Sequence, residues 1–450
     1  MNERFYFDYA ASTPVNADVY KAMEPYFSRH YGNAGALHSF GQEAMAAVDL
    51  SRSLVANALG AQFRDIIFTG SATEANNLAL RGVLKGSRVQ GLGSRAGFRV
   101  QGSGSSGQKK PLNPSGYTLY PRIIISAIEH ESVLETACDL EREGIAEVIY
   151  LPVDKKGIVD MKKLRAALND RTVLVSIMYV NNEIGSIQPI SEISKIVSDF
   201  RERSMVNGQQ SMVGAALPLL HTDAVQAFQF FDCNPVTLGV DLMTISAHKI
   251  YGPKGVGALY VGSRVQGLGS GVGSRAQGLG SSSDRNSLNP IGYTLYPIIT
   301  GGGQEYGFRS GTENVPLIVG FGVAASHAAK YRAERKKHIE GLKKYFLAQL
   351  KKSRIGFSIN GGAPSQSAPN IVNLSFRGRS AGDMLTALDM RGIAVSFGAA
   401  CRSRSSKPSY VLTALGYEPL RASQGVRVSF GEPTTKKEID ALVGALKKIK

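Results

Sequence analysis

The sequence predicts an α/β protein with a large domain, built on a mostly parallel sheet of the seven-stranded type, and a smaller α+β domain. Three observations lead to this fold class. Apolar segments of strand length alternate with amphipathic segments of helix length, which is typical of a parallel sheet with helices on both faces. Several of these apolar segments end in polar residues. Beyond residue 320, helices mix with a few strands, and 450 residues are enough for two cores.

The predicted strands of the large domain each precede a helix or a polar turn. In chain order they are "DIIFTG" before "SATEANNLALRGVL", "RIIISAI" before "EHESVLETACDLEREG", "TVLVSIMYV" before "NNEIG", then "LLHTDAVQ", "LMTISAH" and "VGALYV". The smaller domain contains two helical stretches, "GVAASHAAKYRAERKKHIEGLKKYFLAQLKK" and "AGDMLTALDMRG", and the strands "NIVNLSF" and "GVRVSF". We therefore expect a large domain over residues 14–320 and a smaller one formed by residues 1–13 with 321–450.

Three irregular stretches interrupt this pattern, at residues 86–120, 204–220 and 262–297. The first and the third both begin "GSRVQGLGS" and both end in "GYTLY" letters, so they are copies of one element. Their glycine and serine content is too high to bury a core, and we expect surface loops. A basic arm for RNA or for a partner is the functional alternative, but tolerated insertions at loop tips are the simpler interpretation.

Composition limits the class of protein. The formal net charge of +16 prompts a search for an acidic partner, yet part of the excess lies in the repeated stretches, and direct nucleic-acid binding is not expected. Cys138, Cys233 and Cys401 are far apart with no paired spacing, which argues against a disulfide framework or a metal site. Neither a signal peptide nor an apolar run of membrane length is found in the sequence. We expect a cytoplasmic protein.

The chemistry-bearing residues stand at the predicted strand ends. The Ala72–Thr73 turn opens a helix, where backbone N–H groups suit a phosphate, although such turns are often simple caps. Asp223 ends one strand and Lys249 follows another, while His130 follows a third. Pyridoxal 5'-phosphate needs an anion site, an acid at its ring nitrogen, a lysine and a ring over its face. These four positions therefore predict a pyridoxal phosphate site.

The same segments resemble the cysteine desulfurases of the NifS/IscS group, within the class V aminotransferase family of fold-type I pyridoxal phosphate enzymes. The resemblance covers nearly all of the chain outside the irregular stretches. It is carried by "FDYAASTPV", "YGNAGALHSFG", "FTGSATEANNLAL", "SAIEHESVLETACDLEREG", "VSIMYVNNEIGSIQPI", "HTDAVQAF", "DLMTISAHKIYGPKGVGALYV", "GGGQEYGFRSGTENVP", "PNIVNLSF" and "VSFGAACRSRSSKPSYVLTALG".

The resemblance implies a role for each site residue. Lys249 holds the cofactor covalently, Asp223 and Gln226 bind its ring nitrogen and ring hydroxyl, and His130 stacks on the ring and carries protons. The phosphate is held by Ala72, Thr73, Ser246, His248 and, from the other subunit of a homodimer, Thr312. Asn181 lies near the ring hydroxyl and the substrate carboxylate, and Arg427 binds that carboxylate, a task that suits a planar guanidinium.

The resemblance also implies the reaction. L-cysteine is converted to L-alanine, and its sulfur passes to Cys401 as a persulfide. Only a thiolate is nucleophilic, so Arg402 and Arg404 are candidates for lowering the pKa of this thiol. The sulfur would then pass to an acceptor such as an iron–sulfur scaffold or a tRNA-thiolation enzyme, and the spacing after Cys401 is similar to that of the group whose cysteine lies on a long loop.

Some positions depart from the family pattern, notably Phe397 and Ala399 before the nucleophile, and the chain ends without the extension that many relatives use for scaffold contacts. Two alternatives stay open at this point. A related class V enzyme, either an aminotransferase or a selenocysteine lyase, would keep Lys249 and Asp223 but need no thiol. A degenerate homologue would have lost catalysis altogether.

Overall fold

The computed structural model describes residues 3–89, 120–206, 217–267, 293–398 and 408–449. The helices are α1 (Ala17–Met23), α2 (Pro25–Ser28), α3 (Ser39–Leu59), α4 (Ala72–Val89), α5 (Glu131–Arg142), α6 (Met161–Ala167), α7 (Ile190–Val206), α8 (Pro235–Leu238), α9 (Val315–Lys330), α10 (Arg332–Lys352), α11 (Ala381–Asp389), α12 (Tyr410–Ala414), α13 (Pro419–Ala422) and α14 (Lys436–Lys448). The strands are β1 (Phe5–Tyr6), β2 (Ile66–Thr69), β3 (Arg122–Ser126), β4 (Glu147–Leu151), β5 (Thr172–Ser176), β6 (Leu219–Asp223), β7 (Leu242–Ser246), β8 (Gly257–Val261), β9 (Val265–Gly267), β10 (Tyr293–Leu295), β11 (Phe357–Ile359), β12 (Ile371–Phe376), β13 (Ile393–Ala394), β14 (Ser396–Phe397) and β15 (Gly425–Ser429).

A seven-stranded sheet forms the centre of the larger part, in the order β2-β8-β7-β6-β5-β3-β4. Strands β4, β3, β5, β6 and β7 are parallel neighbours, whereas β8 runs antiparallel to both β7 and β2. The prediction of a mostly parallel sheet is confirmed. Because the parallel strands point the same way, their carboxyl ends lie at one edge, where ligands of such sheets bind.

Each face of this sheet is buried under helices. Successive side chains along a strand point to opposite faces, so neighbouring residues pack against different helices. Leu220 of β6 packs into a cluster with residues of α3 and α9, while its neighbour Leu219 packs into a second cluster with residues of α4 and α5. The strands are continuously apolar in sequence because neither face of the sheet is exposed to water.

A second, four-stranded antiparallel sheet has the order β11-β12-β15-β14 and shares a core with α10, α11 and α14. The N-terminal segment joins this part, because β1 pairs with β13 and Phe7 is buried in the same core. Helix α9 continues past residue 320, and Phe321 and Ala325 still pack on the large sheet. The predicted domain limits at residues 13 and 320 stay predictions.

The predicted irregular stretches lie largely outside the described residues, but the described ends of each contribute to regular elements: 86–89 to α4, 204–206 to α7, 219–220 to β6, and the two ends of the third to β9 and β10. Strands β9 and β10 pair in parallel at the two ends of residues 262–297, and Tyr293 and Leu295 are fully buried. The Tyr293 hydroxyl donates to the carbonyl of Val83 in α4. The expectation of a surface loop is therefore wrong for the ends of the third stretch, because the apolar side chains of Tyr293 and Leu295 pack beside α4 and are buried there.

Candidate active site

The sheet edge formed by the carboxyl ends of β3, β5, β6 and β7 gathers most of the predicted residues. Asp223 and Ser246 are the last residues of β6 and β7, and His130 and Asn181 lie in the turns after β3 and β5. Lys249 closes a short 3₁₀ turn, Ala247–Lys249, directly after β7. The fold therefore places residues from distant parts of the sequence at one edge.

Asp223, at the end of β6, accepts hydrogen bonds through both carboxylate oxygens. It is buried, its Oδ1 accepts from the backbone N–H of Val225 at 3.0 Å, and its Oδ2 accepts from the side-chain amide of Asn76 at 2.9 Å. Asn76 lies on α4, is fully buried and was not among the predicted residues. A polar letter on the apolar face of that helix was the available signal, since buried amides need partners.

Asn76 also contacts Ser132, the residue that decides which nitrogen of His130 carries the proton. The Asn76 amide donates to the Ser132 hydroxyl at 2.8 Å, and the Ser132 backbone N–H donates to His130 Nδ1 at 3.1 Å. A nitrogen that accepts from a backbone N–H carries no proton, so the neutral imidazole holds its proton on Nε2. Burial lowers the pKa of His130 below its ordinary value; the charge of Asp223 raises it and that of Lys249 lowers it.

Lys249 and Gln226 both contact the N-terminal segment. The Lys249 ammonium donates to the carbonyls of Ala10 and Ala11, each at 2.7 Å, and the Gln226 amide donates to Ala10 at 2.9 Å. Two residues after the lysine, Tyr251 adopts a left-handed φ of 66°. That conformation costs energy for a residue with a Cβ, so the surrounding contacts hold the turn that carries Lys249.

Apart from Thr312, the predicted phosphate positions lie at or just after the ends of two strands, β2 and β7. Ala72 and Thr73 open α4, and the side chain of Thr73 is exposed to solvent. Ser246 Oγ lies 2.8 Å from His248 Nδ1, and burial, with the charges of Lys249 and Lys254, lowers the pKa of His248 to about 4. Thr312 is exposed, and its role in a second subunit stays a prediction.

Arg427 belongs to β15 of the second sheet and contacts the turn after β5. Its side chain is 1% exposed, its Nη1 donates to the carbonyl of Asn182 at 2.9 Å, and its Nη2 contacts Asp8 Oδ1 at 2.6 Å. Its Nε has no hydrogen-bond partner among the described residues.

Asn181 does not have the contacts that its predicted role requires. Its amide donates to the carbonyl of Ile128 at 2.9 Å, and its Oδ1 accepts from the backbone N–H groups of Glu183 and Ile184, both at 2.9 Å. The amide nitrogen also donates to Met178 Sδ at 3.5 Å, so both N–H groups and the oxygen have partners within the protein, and the side chain shapes the "NNEIG" turn. The next residue, Asn182, is 7% exposed and its Oδ1 has no partner among the described residues, so Asn182 replaces Asn181 as the candidate.

Comparison with known proteins decides the family. The family described as aminotransferase class-V matches residues 5–91 and 120–442. The chain belongs to this family. It is 36% identical over 449 residues to the cysteine desulfurase IscS of Dictyoglomus turgidum, with 100% of this chain and 95% of the relative covered. The prediction of the family is confirmed.

Solved structures agree with the fold of this class V aminotransferase family member. A NifS-like protein is 30% identical with a TM-score of 0.77, and 99% of each chain is covered. A structure described as SspA in complex with cysteine is also 30% identical, with a TM-score of 0.69 over 96% of this chain and 100% of that one. Class V aminotransferases and their IscS and NifS relatives depend on pyridoxal phosphate, and so does this enzyme.

The side chains present fit that cofactor. Gln226 Oε1, Asn182 Oδ1 and Arg427 Nε are buried polar atoms without partners among the described residues, which is costly unless a polar ligand satisfies them. Asp223 offers a carboxylate for a pyridinium nitrogen and Lys249 an amine for a carbonyl carbon. The exposed hydroxyl of Thr73 at a helix N-terminus suits a phosphate.

Cys401, Arg402 and Arg404 lie outside the described residues. The described residues on either side of them contact the site: Ser396 pairs with Arg427, and the Ser409 hydroxyl donates to the Glu183 carboxylate. Of the other two cysteines, Cys138 is partly exposed, whereas burial raises the pKa of Cys233 to about 12. Within the described ranges no group of three or more side chains suits a metal ion, and none of the helices there is long and apolar enough to cross a membrane.

Glu129 is a second residue that the sequence reasoning missed. It directly precedes His130, is fully buried, and its Oε1 accepts from Met178 N at 2.9 Å and from the Ser126 hydroxyl. Burial and, to a lesser extent, the nearby charge of Asp223 raise its pKa to about 8, although the hydrogen bonds from Ser126 and Met178 oppose the shift. At neutral pH the Glu129 carboxyl is therefore mostly protonated. It carries no negative charge in that form and does not repel the carboxylate of Asp223.

Glu129→Gln is expected to change how stability depends on pH. The folded protein keeps the Glu129 proton up to about pH 8, whereas the unfolded chain loses it near pH 4.5. The free energy of unfolding of the wild type therefore falls as pH rises through this window, by up to about 1.4 kcal/mol per pH unit from this group. Glutamine stays neutral, so urea unfolding at a series of pH values is expected to show a smaller fall. The exposed Glu143→Gln serves as control, and equal slopes for wild type and Glu129→Gln would contradict the assignment.

Proposed function

We propose that this protein is a pyridoxal phosphate-dependent cysteine desulfurase that converts L-cysteine to L-alanine and receives the sulfur on Cys401 as a persulfide. The observation that carries the proposal is the set of Lys249, Asp223 and His130 at one sheet edge, with Arg427 in contact with the turn after β5. The relatives named cysteine desulfurase match over the full length, and a structural neighbour was solved with cysteine.

Each side chain of the set has a task in this reaction. The bound cofactor withdraws electrons from the α-carbon of the amino acid. Asp223 keeps the proton on the ring nitrogen, with Gln226 at the ring hydroxyl. Lys249 provides the amine that first holds the cofactor and then moves protons at the α-carbon. His130 would lie against the ring and carries its own proton on Nε2, because its Nδ1 accepts from the Ser132 backbone N–H.

Substrate and phosphate groups are held by the remaining residues. Arg427 and Asn182 orient the substrate, the arginine through its α-carboxylate. Ala72, Thr73, Ser246 and His248 hold the cofactor phosphate, together with Thr312 from a second subunit. At physiological pH His248 is neutral, since its pKa is about 4, so it contributes a hydrogen bond rather than a charge.

The sulfur transfer balances without an external oxidant. The Cys401 thiolate attacks the sulfur atom of the substrate, an S–S bond forms and the bond between that sulfur and the β-carbon breaks. The electron pair of the broken bond stays with the carbon skeleton, which takes up a proton and leaves as L-alanine. Cys401 is left as a persulfide, whose outer sulfur a thiol can remove.

The partners follow from this product. A persulfide needs an acceptor thiol or scaffold, and we infer an iron–sulfur scaffold or a tRNA-thiolation enzyme in the cytoplasm.

A homodimer is supported by the exposed apolar side chains of residues 20–40: Tyr20, Phe27, Tyr31, Leu37 and Phe40, with Leu37 93% exposed. Such a cluster is costly in water and suits a second copy of the chain, which would also supply Thr312.

The test is the stoichiometry of products from L-cysteine. Purified protein loaded with pyridoxal phosphate is expected to release equal amounts of L-alanine and sulfide in the presence of a thiol reductant, and cofactor-free protein neither. A selenocysteine lyase would release selenium from L-selenocysteine but no sulfide from L-cysteine. An aminotransferase would form a keto acid instead of alanine. Absence of any lysine-linked cofactor absorbance would indicate a degenerate homologue.

A further inference from the structure

Asp8 occupies an unexpected position beside the guanidinium that is assigned to the substrate. Its Oδ1 lies 2.6 Å from Arg427 Nη2, and its side chain is only 17% exposed. The two residues are 419 positions apart in the sequence. A carboxylate of the chain itself therefore holds one edge of the group that is to bind the substrate carboxylate.

The backbone around Asp8 fixes this contact. Asp8 pairs with Ser429 in a parallel bridge beside β15, and the backbone N–H of Ala10 donates to the Ser429 hydroxyl at 2.9 Å. The carbonyl of Asp8 accepts from the Tyr6 hydroxyl at 3.0 Å. The same segment receives the Lys249 ammonium at Ala10 and Ala11. Asp8 is thus part of the wall of the reaction site.

The contact between Asp8 and Arg427 matters because Arg427 is a buried charge. A guanidinium remains protonated in proteins, so the buried cation needs an anion in the absence of substrate. Asp8 supplies it. Glu183 is also fully buried near Arg427, and burial raises its pKa to about 7 against the opposing effects of the Ser409 hydrogen bond and the Arg427 charge, so it is only partly ionised at neutral pH.

We propose that Asp8 is a built-in counter-ion that weakens the binding of the α-carboxylate at Arg427 and so speeds release of the product amino acid. This inference rests on the proposed function, because it takes Arg427 as the carboxylate site. Substrate and product carry the same α-carboxylate, and a second carboxylate on one guanidinium gains less attraction than a first. Arg427 remains able to bind it, since its Nε has no partner among the described residues.

Asp8→Asn keeps the size of the side chain and removes its charge. The dissociation constant of L-alanine, measured from the absorbance of the cofactor-loaded protein, is expected to fall about tenfold. The KM for L-cysteine is expected to fall in parallel, and kcat to fall where product release limits turnover. The stabilisation of the thermal midpoint by saturating L-alanine is expected to be larger than in the wild type. A merely structural role would change these quantities in the opposite direction, since a disordered Arg427 binds less well.

Two further variants complete the test. Asp18→Asn removes the same charge from an exposed position in α1 and is expected to leave alanine binding unchanged. Asp8→Ser repeats the charge removal where Asp8→Asn does not fold. Unchanged or weaker alanine binding in a folded Asp8 variant, with an active wild type, overturns the counter-ion role alone. A wild type that neither binds L-alanine nor releases sulfide contradicts the proposed function instead.

Discussion

Lys249→Ala is expected to abolish sulfide release, with a loss of at least about 10³-fold in kcat. Lys249 is the amine placed at the end of β7, and the carbonyls of Ala10 and Ala11 orient it at 2.7 Å. Alanine removes both the covalent link to the cofactor and the group that moves protons at the α-carbon. The measurement is sulfide release from L-cysteine beside the absorbance of the protein with pyridoxal phosphate.

The control for this variant is Lys254→Ala. Lys254 is exposed, five residues further along the same turn. It is expected to keep the lysine-linked absorbance and most of the activity. If Lys249→Ala retained that absorbance, another amine would hold the cofactor and the placement of the site would be wrong. A circular dichroism spectrum equal to that of the wild type separates loss of chemistry from loss of fold.

Cys401→Ala is the second large effect, with an expected loss of at least about 10²-fold in sulfide and alanine formation. The reason is specific to sulfur: without the thiolate, no group accepts the substrate sulfur, although Lys249, Asp223 and His130 are intact. The variant is expected to bind pyridoxal phosphate and to change its absorbance on addition of L-cysteine, because these steps precede sulfur transfer. Turnover equal to that of the wild type would contradict the desulfurase proposal.

Cys138→Ala is the matched control for Cys401→Ala. Cys138 lies in α5 and is the partly exposed cysteine among the described residues, with its Sγ 3.3 Å from the Tyr150 hydroxyl. It is expected to leave turnover unchanged. Labelling of persulfide sulfur on the wild type, on Cys138→Ala and on Cys401→Ala identifies the acceptor residue directly. Loss of label only in Cys401→Ala is the expected pattern.

The sequence by itself determined the architecture, and it predicts that the proposed site lies at the strand ends. Apolar runs in β3, β5, β6 and β7 predict buried parallel strands, and the polar letters after them predict an active edge, because parallel strands end together. Lys249, Asp223 and His130 could be named for this reason. Their order along the chain also carries the family resemblance, which the comparisons confirm.

Only the tertiary structure decided which polar side chains have capacity left for a ligand. Asn181 and Asn182 are the same residue type in the sequence. In the structure, the side-chain amide of Asn181 is occupied by hydrogen bonds with Ile128, Glu183 and Ile184. The role of Asn76 depends on contacts with residues more than fifty positions away. A local pattern does not contain such contacts.

The electrostatic state of the site was likewise decided by burial and long-range pairing. The raised pKa of Glu129 comes from complete desolvation, which a sequence does not display. Asp8 meets Arg427 only because the N-terminal segment lies along β15. Strand periodicity is a local property and can be predicted from local letters, whereas the pairing and protonation of buried charges depend on the whole folded environment.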